Sequence, residues 1–121
     1  MHASSILIVD DDTDLREVLG ELLSDEGYRT HLCANGRAAL DLLRSGARPR
    51  LILLDLTMPE MDGWAFRQAQ LEDAQLREIP VVVMSASRGV DDAVLGGAEI
   101  LKKPVGLDEI LAAVERNALR A

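Results

Sequence analysis

The sequence has few of the features that are typical of membrane or extracellular proteins. It holds a single cysteine, Cys33, so no disulfide can form within it, and this suits a reducing compartment. No apolar run approaches the roughly 20 residues that span a bilayer, and the N-terminus reaches charged Asp10 too early for a signal peptide. We therefore expect a cytoplasmic protein without a membrane partner.

Aromatic residues are also scarce, at 2% of the 121 residues, although the hydrophobic fraction is 48%. Aliphatic side chains must therefore fill the core. A chain of this length fits one domain, and we expect residues 1–121 to form it. Such a domain buries roughly two thirds of its surface on folding, which is enough for a core without disulfides.

Basic residues are outnumbered by acidic ones, with 13 Lys and Arg against 21 Asp and Glu, for a formal net charge of −8 at pH 7. A surface this acidic repels phosphate backbones, and no cluster of Lys or Arg offsets it. We therefore expect no direct binding to nucleic acid.

Short apolar runs alternate with amphipathic segments along the chain. The runs predict strands at Ser5–Val9, Tyr28–Cys33, Leu51–Leu54, Val81–Met84 and Ile100–Lys102. Apolar residues at helical spacing predict helices that end at Gly27, end near Gly46, run from Gly63 to about Leu76, and cover Asp91–Leu95 and Leu107–Ala118. Five strand–helix units of this kind predict an α/β fold, with a parallel sheet covered by helices on both faces.

Polar side chains follow four of the predicted strands. Asp10 and Asp11 follow the first strand, Asp55 the third, Ser85 the fourth and Lys103 the fifth. In a parallel sheet the carboxyl ends of the strands share one edge, and ligands bind there. We therefore expect these five residues to converge on one site.

Carboxylates held together in this way repel each other, by about 4 kcal/mol for a pair at 4 Å in a surface-like dielectric. A cation would relieve the repulsion, and oxygen ligands without His or Cys favour Mg2+. A carboxylate can also attack phosphorus to give an acyl phosphate, which needs positive charge around the phosphoryl oxygens. Lys103 would supply an ammonium and Ser85 a hydroxyl donor.

Each of these residues also has a purely structural interpretation. Asp12, next to the acidic pair, is expected to cap the first helix rather than to bind a metal. Ser85 alone could end a strand, and Lys103 alone could be a solvated surface group. Their joint occurrence at successive strand ends favours a functional site.

Four segments, ILIVDDD, LLDLTMPEMDG, VVMSA and KKP, together resemble the receiver domain of two-component response regulators. The resemblance implies a flavodoxin-like (βα)5 three-layer sandwich with parallel sheet order 2-1-3-4-5. It implies that Asp55 is the phosphoacceptor, assisted by Ser85 and Lys103. It also implies that Mg2+ binds the carboxylates of Asp11 and Asp55 and the backbone carbonyl of Thr57, with Asp10 reaching the ion mainly through water. A cis peptide is expected between Lys103 and Pro104.

By the same resemblance, a histidine kinase or a histidine phosphotransfer protein would donate the phosphoryl group to Asp55. The domain would then change conformation to control a downstream protein. It would be a regulatory domain that assists its own phosphorylation and dephosphorylation, not an enzyme. We expect a monomer or a weak, phosphorylation-dependent dimer.

Two features depart from the family pattern. Ile100 stands where receivers usually place Tyr or Phe, and only eighteen positions separate Ser85 from Lys103, about four fewer than is typical. Four residues are close to one helical turn, so the fourth helix is expected to be short. These departures leave open a pseudo-receiver, a docking module that works without phosphorylation. A dehalogenase-like phosphatase is disfavoured, because Thr57 occupies the position of its second aspartate.

Overall fold

The computed structural model describes residues 5–56, 61–86, 96 and 98–118. Strands and helices alternate through these ranges. They are β1 Ser5–Val9, α1 Thr13–Asp25, β2 Arg29–Cys33, α2 Gly36–Arg44, β3 Leu51–Asp55, α3 Gly63–Glu72, β4 Val81–Ser85, β5 Glu99–Lys102 and α4 Leu107–Ala118. The helix predicted over Asp91–Leu95 lies outside the described residues.

The five strands form one parallel sheet in the order β2-β1-β3-β4-β5. This confirms the predicted α/β fold and its strand order. The central strand β3 is buried along its whole length, as its unbroken apolar sequence predicts. Because all strands run in one direction, their carboxyl ends meet at one edge of the sheet.

Helices cover both faces of this sheet. Alternate residues of β1 face opposite sides: Leu7 and Val9 pack in a core with α2 and α3, while Ile6 and Ile8 pack in a second core with α1 and α4. Phe66 is fully buried, and aliphatic side chains make up most of both cores. The low aromatic content is thus matched by aliphatic packing.

Side-chain caps set the first residue of three helices. Asp12 accepts a hydrogen bond from the Leu15 N–H at 3.1 Å, which confirms its predicted role at the start of α1. Asn35 caps α2 in the same way, and Asp62 caps α3. Each cap satisfies a backbone N–H that has no partner within the helix.

Helix α3 ends earlier than predicted, at Glu72 rather than near Leu76. Asp73 is extended, with φ −101° and ψ 115°, and the chain then turns back toward β4. The buried Gln70 side chain holds this turn by donating to the carbonyls of Leu76 and Ile79, at 2.9 and 3.0 Å. The helical periodicity of the sequence carries no sign of this interruption.

A buried arginine lies on the inward face of α3, whose apolar residues do not form one continuous stripe in the sequence. Arg67 is only 6% exposed, and its Nη1 donates to Oε1 of the fully buried Gln70 at 2.7 Å. Burial lowers the pKa of Arg67. Part of the inward face of α3 is therefore polar.

In the part of the chain that the structure describes, no helix has both the length and the apolar character to span a membrane.

Candidate functional site

The register of the strands brings the predicted site residues to one edge of the sheet. Asp55 pairs with Met84, and Ser85 pairs with Lys102, so the ends of β3, β4 and β5 are level. Asp10 follows β1 directly, and its N–H donates to the Cys33 carbonyl at the end of β2. The convergence expected from the sequence is thus present for Asp10, Asp11, Asp55, Ser85 and Lys103. Thr57 lies outside the described residues.

Three carboxylates form the centre of this edge. One oxygen from each of Asp10, Asp11 and Asp55 lies within 4.8 Å of the other two. Asp10 is fully buried and Asp55 is 5% exposed, whereas Asp11 is open to solvent. No His or Cys belongs to the group, so its ligand chemistry is that of a hard, oxygen-binding cation.

The two oxygens of the Asp10 carboxylate differ in their hydrogen bonding. Its Oδ1 accepts a hydrogen bond from the Asp12 N–H at 2.9 Å, but its buried Oδ2 accepts none. Burial raises the pKa of Asp10, and the neighbouring Asp55 and Asp11 carboxylates raise it further, against the Asp12 N–H and Lys103, which lower it. A buried oxygen without a donor is costly, and a cation beside it would remove that cost.

Lys103 supplies the ammonium closest to the cluster. Its Nζ lies 3.2 Å from Asp55 Oδ1 and 3.9 Å from Asp10 Oδ2. Three ionised carboxylates and one ammonium leave two negative charges, which one divalent cation would balance. The buried Oδ2 of Asp10 and the charge of the group both fit Mg2+.

Ser85 links the ends of two strands. The residue is 2% exposed, and its backbone carbonyl accepts a hydrogen bond from the Lys103 N–H at 2.8 Å. The peptide between Lys103 and Pro104 is cis, as expected. The contribution of the Ser85 hydroxyl to function stays a prediction.

A recess of about 500 Å3 opens beside Lys103, on the side of α1 and α4. Its lining is mostly apolar and consists of Asp12, Leu15, Met84, Ala86, Lys103, Pro104, Val105 and Ile110. Lys103 and Asp12, the residue before α1, thus both border this recess.

Two residues of this region were not identified from the sequence. The Arg16 Nη1 donates to the backbone carbonyl of Asp10 at 2.7 Å. At Gly63 an added Cβ would lie 2.5 Å from the carbonyl oxygen of Asp55 and 2.7 Å from Leu56 Cα, so the start of α3 needs glycine there. The spacing of Arg16, one helical turn after Asp12, was a signal that could have drawn attention to it.

Comparison with known proteins gives a consistent result. The family model of the response regulator receiver domain matches residues 6–115. The chain is 41% identical over 115 residues to response regulator MprA of Mycolicibacterium vanbaalenii, covering 88% of this chain and 47% of that protein. It is 37% identical over 121 residues to sporulation initiation phosphotransferase F of Bacillus subtilis, covering 96% of this chain and 94% of that protein.

The chain spans about half the length of the first two curated relatives it matches, and nearly all of the phosphotransferase. Among solved structures, it resembles the response regulator TrrA from Thermotoga maritima in complex with Mg2+-BeF, with a TM-score of 0.81 and 29% identity. The similarity covers 93% of this chain and 97% of that one.

Proposed function

The chain belongs to the response regulator receiver domain family of two-component systems, and we propose that it accepts a phosphoryl group on Asp55 in a Mg2+-dependent reaction. One observation carries this proposal. Asp55 shares the carboxylate cluster with Asp10 and Asp11 and also contacts the Lys103 ammonium, at 3.2 Å. Asp55 lies closer to Lys103 than Asp10 does, and it is the acid that ends the central strand.

The proposed step is a direct transfer between two nucleophiles. A carboxylate oxygen of Asp55 forms a bond to phosphorus while the bond from phosphorus to the donor breaks, and the donor leaves with that electron pair. Lys103 would bind a phosphoryl oxygen, and the Ser85 hydroxyl would donate to another. Ser85 ends β4 and Lys103 directly follows β5, the adjacent strand, and a backbone hydrogen bond joins the two residues.

The carboxylates of Asp10, Asp11 and Asp55 and the backbone carbonyl of Thr57 would hold the metal, Asp10 mainly through water. When bound, Mg2+ supplies positive charge that offsets the carboxylates and the transferred phosphoryl oxygens. Support comes from the buried, unsatisfied Oδ2 of Asp10 and from the related response regulator that was solved in complex with Mg2+-BeF.

Receiver domains interact with histidine kinases or phosphotransfer proteins, and we assign the same class of donor to this chain. The apolar recess supports the assignment, because a partner bound there would lie beside Lys103, which contacts Asp55. Phosphorylation would then change the conformation of the domain and control a downstream protein, with the domain a monomer or a weak dimer. The protein is regulatory and would assist its own phosphorylation and dephosphorylation.

The pseudo-receiver alternative is not favoured. A module that only docks to a partner does not require three clustered carboxylates. One of these carboxylates also has a buried oxygen that lacks a hydrogen bond. Such a cluster costs stability unless a ligand relieves it. Ile100 packs beside the core on β5, opposite Val83, and alters neither the cluster nor its contact with Lys103.

The proposal is tested by incubating the protein with acetyl phosphate and Mg2+ and measuring its intact mass. The wild type should gain one phosphoryl group, and Asp55→Asn should gain none. Asp62→Asn is the matched control, because Asp62 is exposed and asparagine can still cap α3. Stoichiometric labelling of Asp55→Asn would overturn the assignment of the phosphoacceptor.

A further inference from the structure

Arg16 connects the first turn of α1 to the acidic loop that precedes it. Its Nη1 donates to the Asp10 carbonyl at 2.7 Å, and its Nη2 lies 3.5 Å from Thr13 Oγ1. Its own backbone N–H donates to the Asp12 carbonyl at 2.9 Å. Through these hydrogen bonds Arg16 connects the β1–α1 loop, residues 10–12, to the first turn of α1. A guanidinium suits this task because it presents several donors in a rigid plane.

The hydrogen bond to Asp10 acts on a particular peptide unit. The carbonyl of Asp10 and the N–H of Asp11 belong to one planar group, so fixing the carbonyl fixes the plane. The orientation of that plane sets the direction in which Asp11 carries its side chain. Arg16 forms no hydrogen bond or ion pair with the Asp11 carboxylate, but it restrains the backbone that orients this side chain.

Asp11 has no comparable restraint of its own. Within residues 5–56, 61–86, 96 and 98–118, its carboxylate makes no hydrogen bond, and the residue is exposed. Asp10, in contrast, is buried and bonded to the Asp12 N–H. The exposed member of the carboxylate cluster is thus the one whose position depends most on the loop backbone.

We propose that Arg16 is a positioning residue for the metal site: its hydrogen bond to the Asp10 carbonyl holds Asp11 in place to bind Mg2+. This inference rests on the proposed function, because it assumes that the cluster binds the ion. Groups that orient metal ligands without touching the metal commonly matter for affinity by roughly 10- to 100-fold when they are removed.

Because Arg16 is charged, the direction of the change in Mg2+ affinity on its removal tests the proposal. Arg16 is a cation near a site for a cation, so its electrostatic effect alone opposes Mg2+ binding. Removing only that charge would tighten Mg2+ binding. Removing a positioning residue would loosen it. The two roles therefore predict opposite changes in affinity.

The experiment measures Mg2+ affinity by isothermal titration calorimetry on the wild type, Arg16→Ala, Arg16→Lys and Arg44→Ala. Arg44 is an exposed arginine at the end of α2, outside the site, and controls for effects of losing an arginine that do not depend on the site. We expect Arg16→Ala to bind Mg2+ about tenfold more weakly and Arg44→Ala to match the wild type. Arg16→Lys should fall between, because an ammonium can donate to the carbonyl but lacks the planar fork.

A second readout separates positioning from general damage to the fold. If Arg16 acts through metal affinity, the labelling rate of Arg16→Ala with acetyl phosphate should recover as Mg2+ is raised to saturation. Equal or tighter Mg2+ binding by Arg16→Ala would overturn the proposal, as would a labelling defect that saturating Mg2+ does not relieve. If Arg16→Ala does not fold, Arg16→Met keeps the aliphatic stem without a donor, and unchanged Mg2+ affinity in that variant would overturn the proposal. Absence of Mg2+ binding by the wild type would instead overturn the proposed function.

Discussion

The Nζ of Lys103 donates to Asp55 Oδ1 at 3.2 Å, although the two residues are 48 positions apart in the chain. The contact exists because β3 and β5 end at the same edge of the sheet, on either side of β4. In the absence of a metal, this ammonium partly offsets the charge of Asp55 and, at 3.9 Å, that of Asp10. Lys103 and a bound cation therefore compensate the same carboxylates.

Replacing Lys103 by methionine should accordingly increase the effect of Mg2+ on stability. Without the metal, Lys103→Met should lose about 1–3 kcal/mol, because Asp10 and Asp55 lose the ammonium that lies next to them. With Mg2+, the gain in melting temperature should exceed that of the wild type. Lys102→Met is the matched control, since Lys102 is the adjacent, exposed lysine at the end of β5. An unchanged Mg2+ response in Lys103→Met would contradict this account of shared compensation.

Asp11→Ala should remove most of the stabilisation by Mg2+. A ligand at ten times its Kd stabilises the folded state by about 1.4 kcal/mol, and losing a ligand residue should remove most of this gain. Differential scanning fluorimetry with and without Mg2+ measures the effect. Asp14→Ala serves as the control, because Asp14 is a nearby exposed acid in the first turn of α1. The assignment fails if Asp11→Ala keeps the full response to Mg2+.

Asp10 should make the metal-free protein less stable as the pH rises. Burial raises the pKa of Asp10 in the folded state above its ordinary value of 3.8. Between the unfolded and folded pKa the folded state binds more protons, so the contribution of Asp10 to stability is greatest below the unfolded pKa. It declines as the pH rises through the folded pKa.

Asp10→Asn should remove this decline, because asparagine does not ionise. Chemical denaturation in EDTA should show the variant gaining stability relative to the wild type as the pH rises from about 4 to about 7. Saturating Mg2+ should reduce or reverse the advantage, since the ion favours the ionised carboxylate. A stability difference that is independent of pH in EDTA would argue against a raised pKa for Asp10.

Gln70 should be important for stability. Gln70→Ala leaves the buried carbonyls of Leu76 and Ile79 without its amide and removes an acceptor from the buried Arg67. Leaving such groups unsatisfied should cost about 2–4 kcal/mol in the free energy of unfolding. Gln68→Ala, at an exposed position of the same helix, should change it by less than about 0.5 kcal/mol. Similar losses in both variants would show that the buried amide has no special role.

The sheet and the edge that carries the site could be predicted because their signals are local. Each strand is a short apolar run, and the polar residue that ends it is adjacent in sequence, as at Asp10 and Asp55. Parallel pairing then forces those ends together, whatever the details of the helices. The cap at Asp12 is local in the same sense.

The end of α3 and the role of Arg16 could not be predicted in this way. The turn after α3 carries hydrogen bonds from the Gln70 side chain to carbonyls six and nine residues further along, contacts that periodicity does not encode. Arg16 reaches a carbonyl whose direction depends on the folded β1–α1 loop. The hydrogen bonds of Gln70 and of Arg16 both depend on the folded conformation of the backbone, which brings donor and acceptor together.

The central claim is that Asp55 receives the phosphoryl group, and locating the modified residue tests it most directly. Borohydride reduces an acyl phosphate to an alcohol, so a phosphorylated aspartate becomes homoserine, which peptide mass mapping can identify. After treatment with acetyl phosphate, Mg2+ and then borohydride, the account predicts homoserine at position 55 and aspartate at positions 10, 11 and 12. Homoserine at any of those three positions, with aspartate retained at 55, would contradict it.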